Sequence, residues 1–145
     1  MLNIEILKFG SNYELPRIEH LRPFKCVLIS ELETTDNQKL EVCEWLLNAG
    51  CLYLMAWGKE CSLWHDHMDE VHITAFNYQD IPGEHLVMTT WHPNESIRDV
   101  LRFAKHAATH GCTTLENLLI LDLKNCSELS KSARTQKYKS LCVSL

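Results

Sequence analysis

The side chains of this sequence that could do chemistry fall into a few short clusters. The densest is Cys61-x3-His65-x-His67-x4-His72. A spacing of four sets Cys61 and His65 on one side of a helix, as two zinc ligands would stand, but His67 points elsewhere. No second Cys/His pair completes a tetrahedral set, so no metal is expected, and solvent-exposed histidines account for the spacing. A second cluster is His92-x2-Glu95. A His held near a Glu can serve as a general base. The same spacing around Pro93 fits a helix-capping pair, whose backbone donors over 93–95 could receive an anion. Glu31 and Glu33 follow an apolar run, where they are either acid/base groups or solvated loop carboxylates. Trp57 and Trp91 either pack at the rim of a core or flank a crevice in which a planar ligand could stack.

These residues are placed by the elements around them. Leu2-Asn-Ile-Glu-Ile-Leu-Lys-Phe9 alternates apolar and polar residues and breaks at Gly10-Ser-Asn, the pattern of a half-buried edge strand and a turn. The segment to Arg22-Pro23 has no clear period and is expected to run extended over the surface. From Lys25 to Ser30 the run is continuously apolar between its ends, the mark of a strand covered on both faces. Thr35 with Gln38 forms a capping-box signal, Leu40, Cys43 and Leu47 keep helical spacing, and Gly50 falls where a left-handed cap belongs. Cys51-Leu-Tyr-Leu-Met-Ala-Trp57 is a second buried strand, ended by Gly58. A less regular helix follows over 62–71, with Leu63, Trp64, Met68 and Val71 on its apolar side. His85 to Trp91 is the third strand. Pro93 opens a helix whose apolar face, Ile97, Val100, Leu101, Ala104 and Ala108, lasts until Gly111. Leu118 to Leu123 is the last strand of the series and carries Asp122.

Buried strands alternating with amphipathic helices define βαβ units. The fold expected is α/β, a three-layer, doubly wound and mostly parallel sheet of the flavodoxin or Rossmann type. Counting from the strand at Lys25, the order would be 2-1-3-4, with the N-terminal strand added at one edge. One domain would span 1–124, followed by a basic C-terminal tail over 125–145, either a short helix or frayed. In such sheets ligands bind beyond the carboxyl ends of the strands. That rule nominates Ser30, Glu31 and Glu33, then Trp57, Gly58, Lys59, Glu60 and Cys61, then Trp91, His92, Asn94 and Glu95, with Asp122 in the last strand.

Composition narrows the class. With 145 residues, 46% hydrophobic and 23% charged, the chain has the size and balance of one globular domain. A net charge of −5 lacks the basic surface of a nucleic-acid binder, so no nucleic acid is expected as a partner. Glu5 and Lys8 interrupt the start where a signal peptide would need an apolar run, and no stretch is long enough to span a membrane. A cytoplasmic protein is expected, with its seven cysteines reduced and structural. The dinucleotide glycine fingerprint, the Walker loop, the Gly-x-Ser-x-Gly elbow and the redox Cys pair are all missing from the sequence.

Three strings stand out: Cys51-Leu-Tyr-Leu-Met-Ala-Trp-Gly58, Cys61-Ser-x-Trp64-x-Asp66, and Met88-Thr-Thr-Trp-His92-x-x-Glu95, with Phe103-Ala-Lys-His106 beyond them. Together they resemble an uncharacterised bacterial family catalogued as a domain of unknown function. The resemblance covers about Pro23 to Asp122, leaving out the first strand and the tail. It implies a small stand-alone bacterial domain and assigns no activity or cofactor. The leading functional expectation is a binding module whose crevice recognises a small molecule or a protein partner through Trp57, Gly58, Trp64, Asp66, Trp91, His92 and Glu95. The alternative is a small hydrolase or transferase using Glu31, Cys61, His92 and Glu95, with Cys61 as nucleophile if a base lies close. Cofactor and oligomeric state are open.

Overall fold

Apolar runs without a polar face need cover on both sides, and the chain supplies it with two layers of helices. The computed structural model describes residues 2–9, 14–123 and 128–145. Its elements in chain order are β1 (Asn3–Phe9), β2 (Phe24–Ser30), α1 (Asp36–Ala49), β3 (Cys51–Gly58), α2 (Cys61–Ala75), β4 (Met88–His92), α3 (Ile97–His106), β5 (Asn117–Leu123) and α4 (Glu128–Ser144). All strands pair in parallel in one sheet of order β1-β5-β2-β3-β4. This is the expected α/β class, with the N-terminal strand at an edge. The expected order within the sheet is corrected: the last strand inserts between β1 and β2, and the three strands before it follow in sequence.

Helices α1 and α2 cover one face of the sheet, α3 and α4 the other. Side-chain alternation along β2 sends Phe24, Cys26 and Leu28 to the first layer, and Val27 and Ile29 to the second. Every residue of β2 is buried, which makes it the strand on which both cores are built.

Local signals set the helix ends. In α1 the capping box closes in both directions: Gln38 N donates to Thr35 Oγ1 at 3.1 Å and Thr35 N donates to Gln38 Oε1 at 2.8 Å. Gly50 ends the helix at φ 104°. In α3 the cap is Ser96, whose hydroxyl accepts from Asp99 N, so the helix starts after Pro93 and not at it. It also ends well before Gly111, at His106, where the N–H groups of Ala107 and Ala108 both close onto the Phe103 carbonyl, and the buried ammonium of Lys25 takes the Ala108 carbonyl just beyond at 3.1 Å. Lys105 takes the Cys142 and Leu145 carbonyls, and Arg22 those of Asn48 and Ala49.

Other expectations shift too. The segment before β2 is anchored rather than superficial: Ile18 and Leu21 are buried, and Trp45 donates its indole N–H to Pro16 O. His85 lies in a 3-10 turn, not in β4. The basic C-terminal stretch forms α4, which buries Tyr138 and Cys142 in the second core. The turn at Gly10, and Lys124 and Cys126, lie outside the described residues.

Among the described cysteines all are free, and Cys112 alone is exposed. Burial raises the thiols of Cys43 and Cys51, each pushed up to about 12. Two outcomes follow. Iodoacetamide at neutral pH should modify Cys112 in the folded protein and leave Cys26, Cys43 and Cys51 unmodified until unfolding, as peptide mass mapping would read out. These thiols keep their protons when folded and lose them when unfolded above about pH 8.5, so their contribution to stability falls as pH rises from there. In the core, Leu28→Ala should cost about 2–5 kcal/mol in urea unfolding.

Candidate functional site

The carboxyl ends of β2, β3 and β4 each carry polar residues, and the two-residue period of the strands sorts them onto opposite faces. On the α1/α2 face, Ser30 receives a hydrogen bond from the indole N–H of Trp64 at 2.9 Å. Trp64 is itself fully buried, so it supports the site from behind and cannot meet a ligand, in contrast to the expectation. Next to it Lys39 is 1% exposed, an unusual state for a lysine. Its ammonium donates to Thr34 O at 3.0 Å, pairs with Glu60 Oε2 at 3.2 Å, and lies 5.8 Å from the centre of the Trp64 ring. Glu60 holds this position in the left-handed region, at φ 56°. Gly58 has no alternative: at φ 100° a Cβ would stand 2.4 Å from the Ser30 carbonyl oxygen. That oxygen also accepts from Lys59 N at 2.7 Å, tying β3 to β2.

The same face continues to the edge strand. Trp91 is 48% exposed, and its ring lies 4.5 Å from that of His65 on α2. His65 is held from both sides, Nδ1 3.1 Å from Asp66 and Nε2 3.5 Å from Asp69. Asp69 in turn accepts from the Thr89 hydroxyl at 2.9 Å. The chain of contacts therefore leaves β4 at Thr89, runs through α2, and returns to β4 at Trp91. His67 lies apart from it, between Asp36 and Glu70.

On the α3/α4 face stand Trp57, Thr90 and His92. Trp57 packs into the second core and donates its indole N–H to Glu95 O at 2.7 Å. The two tryptophans thus lie on opposite faces and do not flank one crevice. His92 is buried; its Nδ1 meets the Glu95 carboxylate, its Nε2 lies 2.9 Å from Thr90 Oγ1, and its ring rests on Phe103 at 5.4 Å. With Ser96 capping α3, His92 and Glu95 are not the capping pair but partners of each other.

The proposed catalytic set of Glu31, Cys61, His92 and Glu95 is not assembled. Cys61 is buried at the start of α2 on the first face, while His92 is on the second. Glu31 follows β2, its N–H bonded to Leu123 O, and β3 separates it from β4; two strand spacings are about 10 Å. Thr90 is the residue that sequence reasoning missed. The signal was present, since Thr90 and His92 are two apart in a strand and so share a face.

A cavity of about 670 Å³ opens at the other end of the sheet, lined by Arg22, Leu52, Phe76, His85 and Cys112 among others. Its size would admit a small molecule. Its polar lining is engaged by the fold: Arg22 bonds the end of α1, and the His85 carbonyl accepts from His72 Nε2 at 2.9 Å. Among the described residues no group of three or more His, Cys, Asp or Glu is placed to hold a metal ion, and no helix is long and apolar enough to cross a membrane.

The support for Trp64 gives a stability test. Ser30→Ala leaves a buried indole N–H without its acceptor and should destabilise by about 1–3 kcal/mol in chemical denaturation. Gly58→Ala should cost more, because the Ser30 carbonyl has no room to retreat.

Comparison with curated proteins and with solved structures gives no match. A family model does match, over residues 4–139, so that β1 and most of α4 fall within it, beyond the span that the sequence strings suggested. The chain belongs to the family described as Domain of unknown function (DUF7684).

Proposed function

We propose that the protein is a binding module whose recognition surface is the carboxyl end of β3 and β4 on the α2 face, centred on Trp91. The observation that carries this reading is an exposed tryptophan held in place by a closed set of contacts. A large ring at a surface normally has freedom to move, and ordering it on binding opposes affinity. Here the contact with His65, itself fixed by Asp66 and Asp69, removes much of that freedom beforehand. Preorganised aromatic side chains are the residues that dominate recognition surfaces.

The surroundings define the partner's chemistry. Asp66 and Asp69 beside the ring are 68% and 42% exposed, and the chain is acidic overall. An aromatic face bordered by carboxylates favours a cation that is also flat or apolar, such as a guanidinium or alkylated ammonium on a small molecule or a protein segment. Cys61 and Trp64 of α2 are buried, so they support this helix from within and do not touch the partner.

The reading is tested by titrating the protein with a short arginine-rich peptide and a glutamate-rich peptide of equal length, following the indole N–H resonances by NMR. The Trp91 resonance should move with the basic peptide and stay in place with the acidic one. Trp91→Ala should weaken binding by about 5- to 30-fold, from the ~1–2 kcal/mol of a cation–π contact. Equal response to both peptides, or binding unchanged in the variant, rejects it.

A further inference from the structure

The contacts on the other side of β4 have a different character. A carboxylate accepts hydrogen bonds, so in the contact between His92 Nδ1 and Glu95 the imidazole is the donor. In the neutral imidazole Nε2 is then the acceptor, and the only hydrogen that can lie along its 2.9 Å contact with Thr90 Oγ1 is the threonine hydroxyl's own. A hydroxyl donating to a histidine whose other nitrogen is fixed by a carboxylate is the arrangement that turns an alcohol into a nucleophile. It is built stiffly. The ring of His92 is buried against Phe103, and the turn that returns Glu95 to it is clamped by the Trp57 indole on the Glu95 carbonyl. Thr90 itself is only partly buried, and it sits on an edge strand whose outer side no other strand covers among the described residues. The unpaired side of such an edge leaves every second backbone N–H outside the ladder.

We propose that Thr90, His92 and Glu95 form a catalytic relay for acyl transfer from carboxylic esters, with Thr90 as nucleophile. The Thr90 O–H bond breaks as Oγ1 bonds to the ester carbonyl carbon, and the proton moves to His92 Nε2, where the Glu95 carboxylate holds the imidazolium. Collapse of the tetrahedral adduct breaks the bond from that carbon to the leaving alcohol oxygen, which takes the proton from Nε2. A water molecule then gives a proton to the same nitrogen as its oxygen bonds to the acyl carbon; the bond from that carbon to Thr90 Oγ1 breaks, Oγ1 takes the proton back from Nε2, and the carboxylic acid leaves. Ester and water are consumed; acid and alcohol are formed. This activity does not rest on the Trp91 surface, which lies on the opposite face of β4.

The test uses the full chain with two probes, p-nitrophenyl acetate for turnover and a fluorophosphonate for covalent capture, read by absorbance and by intact and peptide mass. The folded protein should gain one phosphonyl group, mapped to Thr90. Thr90→Val, which keeps the shape and removes the hydroxyl, should abolish capture, whereas Thr90→Ser should retain it. Glu95→Gln and His92→Gln should each lower p-nitrophenyl acetate hydrolysis by about 100-fold or more, the scale of a lost general base. Melting temperatures of all variants establish that the proteins compared are folded, and Thr90→Val carries the decision if His92→Gln does not fold. Absence of any adduct on the folded protein, an adduct on another residue, or hydrolysis by Thr90→Val at the starting rate would overturn the proposal.

Discussion

A parallel sheet covered by antiparallel helices has an electrostatic problem at one end. Every helix finishes there, so its last carbonyls and the negative ends of the helix dipoles accumulate at the amino ends of the strands. This chain answers with cations from elsewhere in the sequence. Arg22 serves α1, Lys25 serves α3 and Lys105 serves α4, each through hydrogen bonds to terminal carbonyls. Lys25 does so from inside the central strand, where burial depresses its ammonium below the usual lysine range. The ends of α1, α3 and α4 are held by neighbouring segments of the chain, which leaves the opposite end of the molecule to present its side chains from a rigid base.

At that opposite end the chain departs from what stability alone would favour. Lys39 is almost wholly buried, Glu60 adopts a left-handed backbone, and Gly58 presses against the Ser30 carbonyl. Buried ions and left-handed non-glycine residues persist only where their surroundings over-determine them. Here they lock the start of α2 to β2 and β3. The orientation of α2 fixes His65, and His65 fixes Trp91. The strained segment and the exposed ring are thus two ends of one mechanical connection.

Much of the architecture was legible because burial leaves a direct imprint on sequence. The apolar runs at 25, 51 and 118, and the Thr35–Gln38 box with Gly50, marked their elements because each pattern has one physical solution. Strand order was not legible. An apolar strand records that it is covered and says nothing of which strand lies beside it, and the long connection from β4 to β5 gives the chain length to cross back over the sheet. The spacing of three between His92 and Glu95 serves both a cap and an ion pair. Ser96 with Asp99 carried the capping signal and would have freed the pair for each other. Trp64 lay on the apolar side of its predicted helix, which already argued for the core over a ligand-facing place.

The alternation of β4 binds two surfaces into five residues. Thr89 and Trp91 look toward α2 while Thr90 and His92 look toward α3, in register with Leu54, Ala56, Met55 and Trp57 of the neighbouring strand. A pleated strand has no intermediate setting, so losing or gaining a single residue between α2 and Met88 would turn the whole row over, sending the indole inward and the imidazole outward. Substitutions along this lineage can tune either surface separately, but length changes in the preceding loop are tolerable only where the slack is absorbed before the pairing with Tyr53 begins.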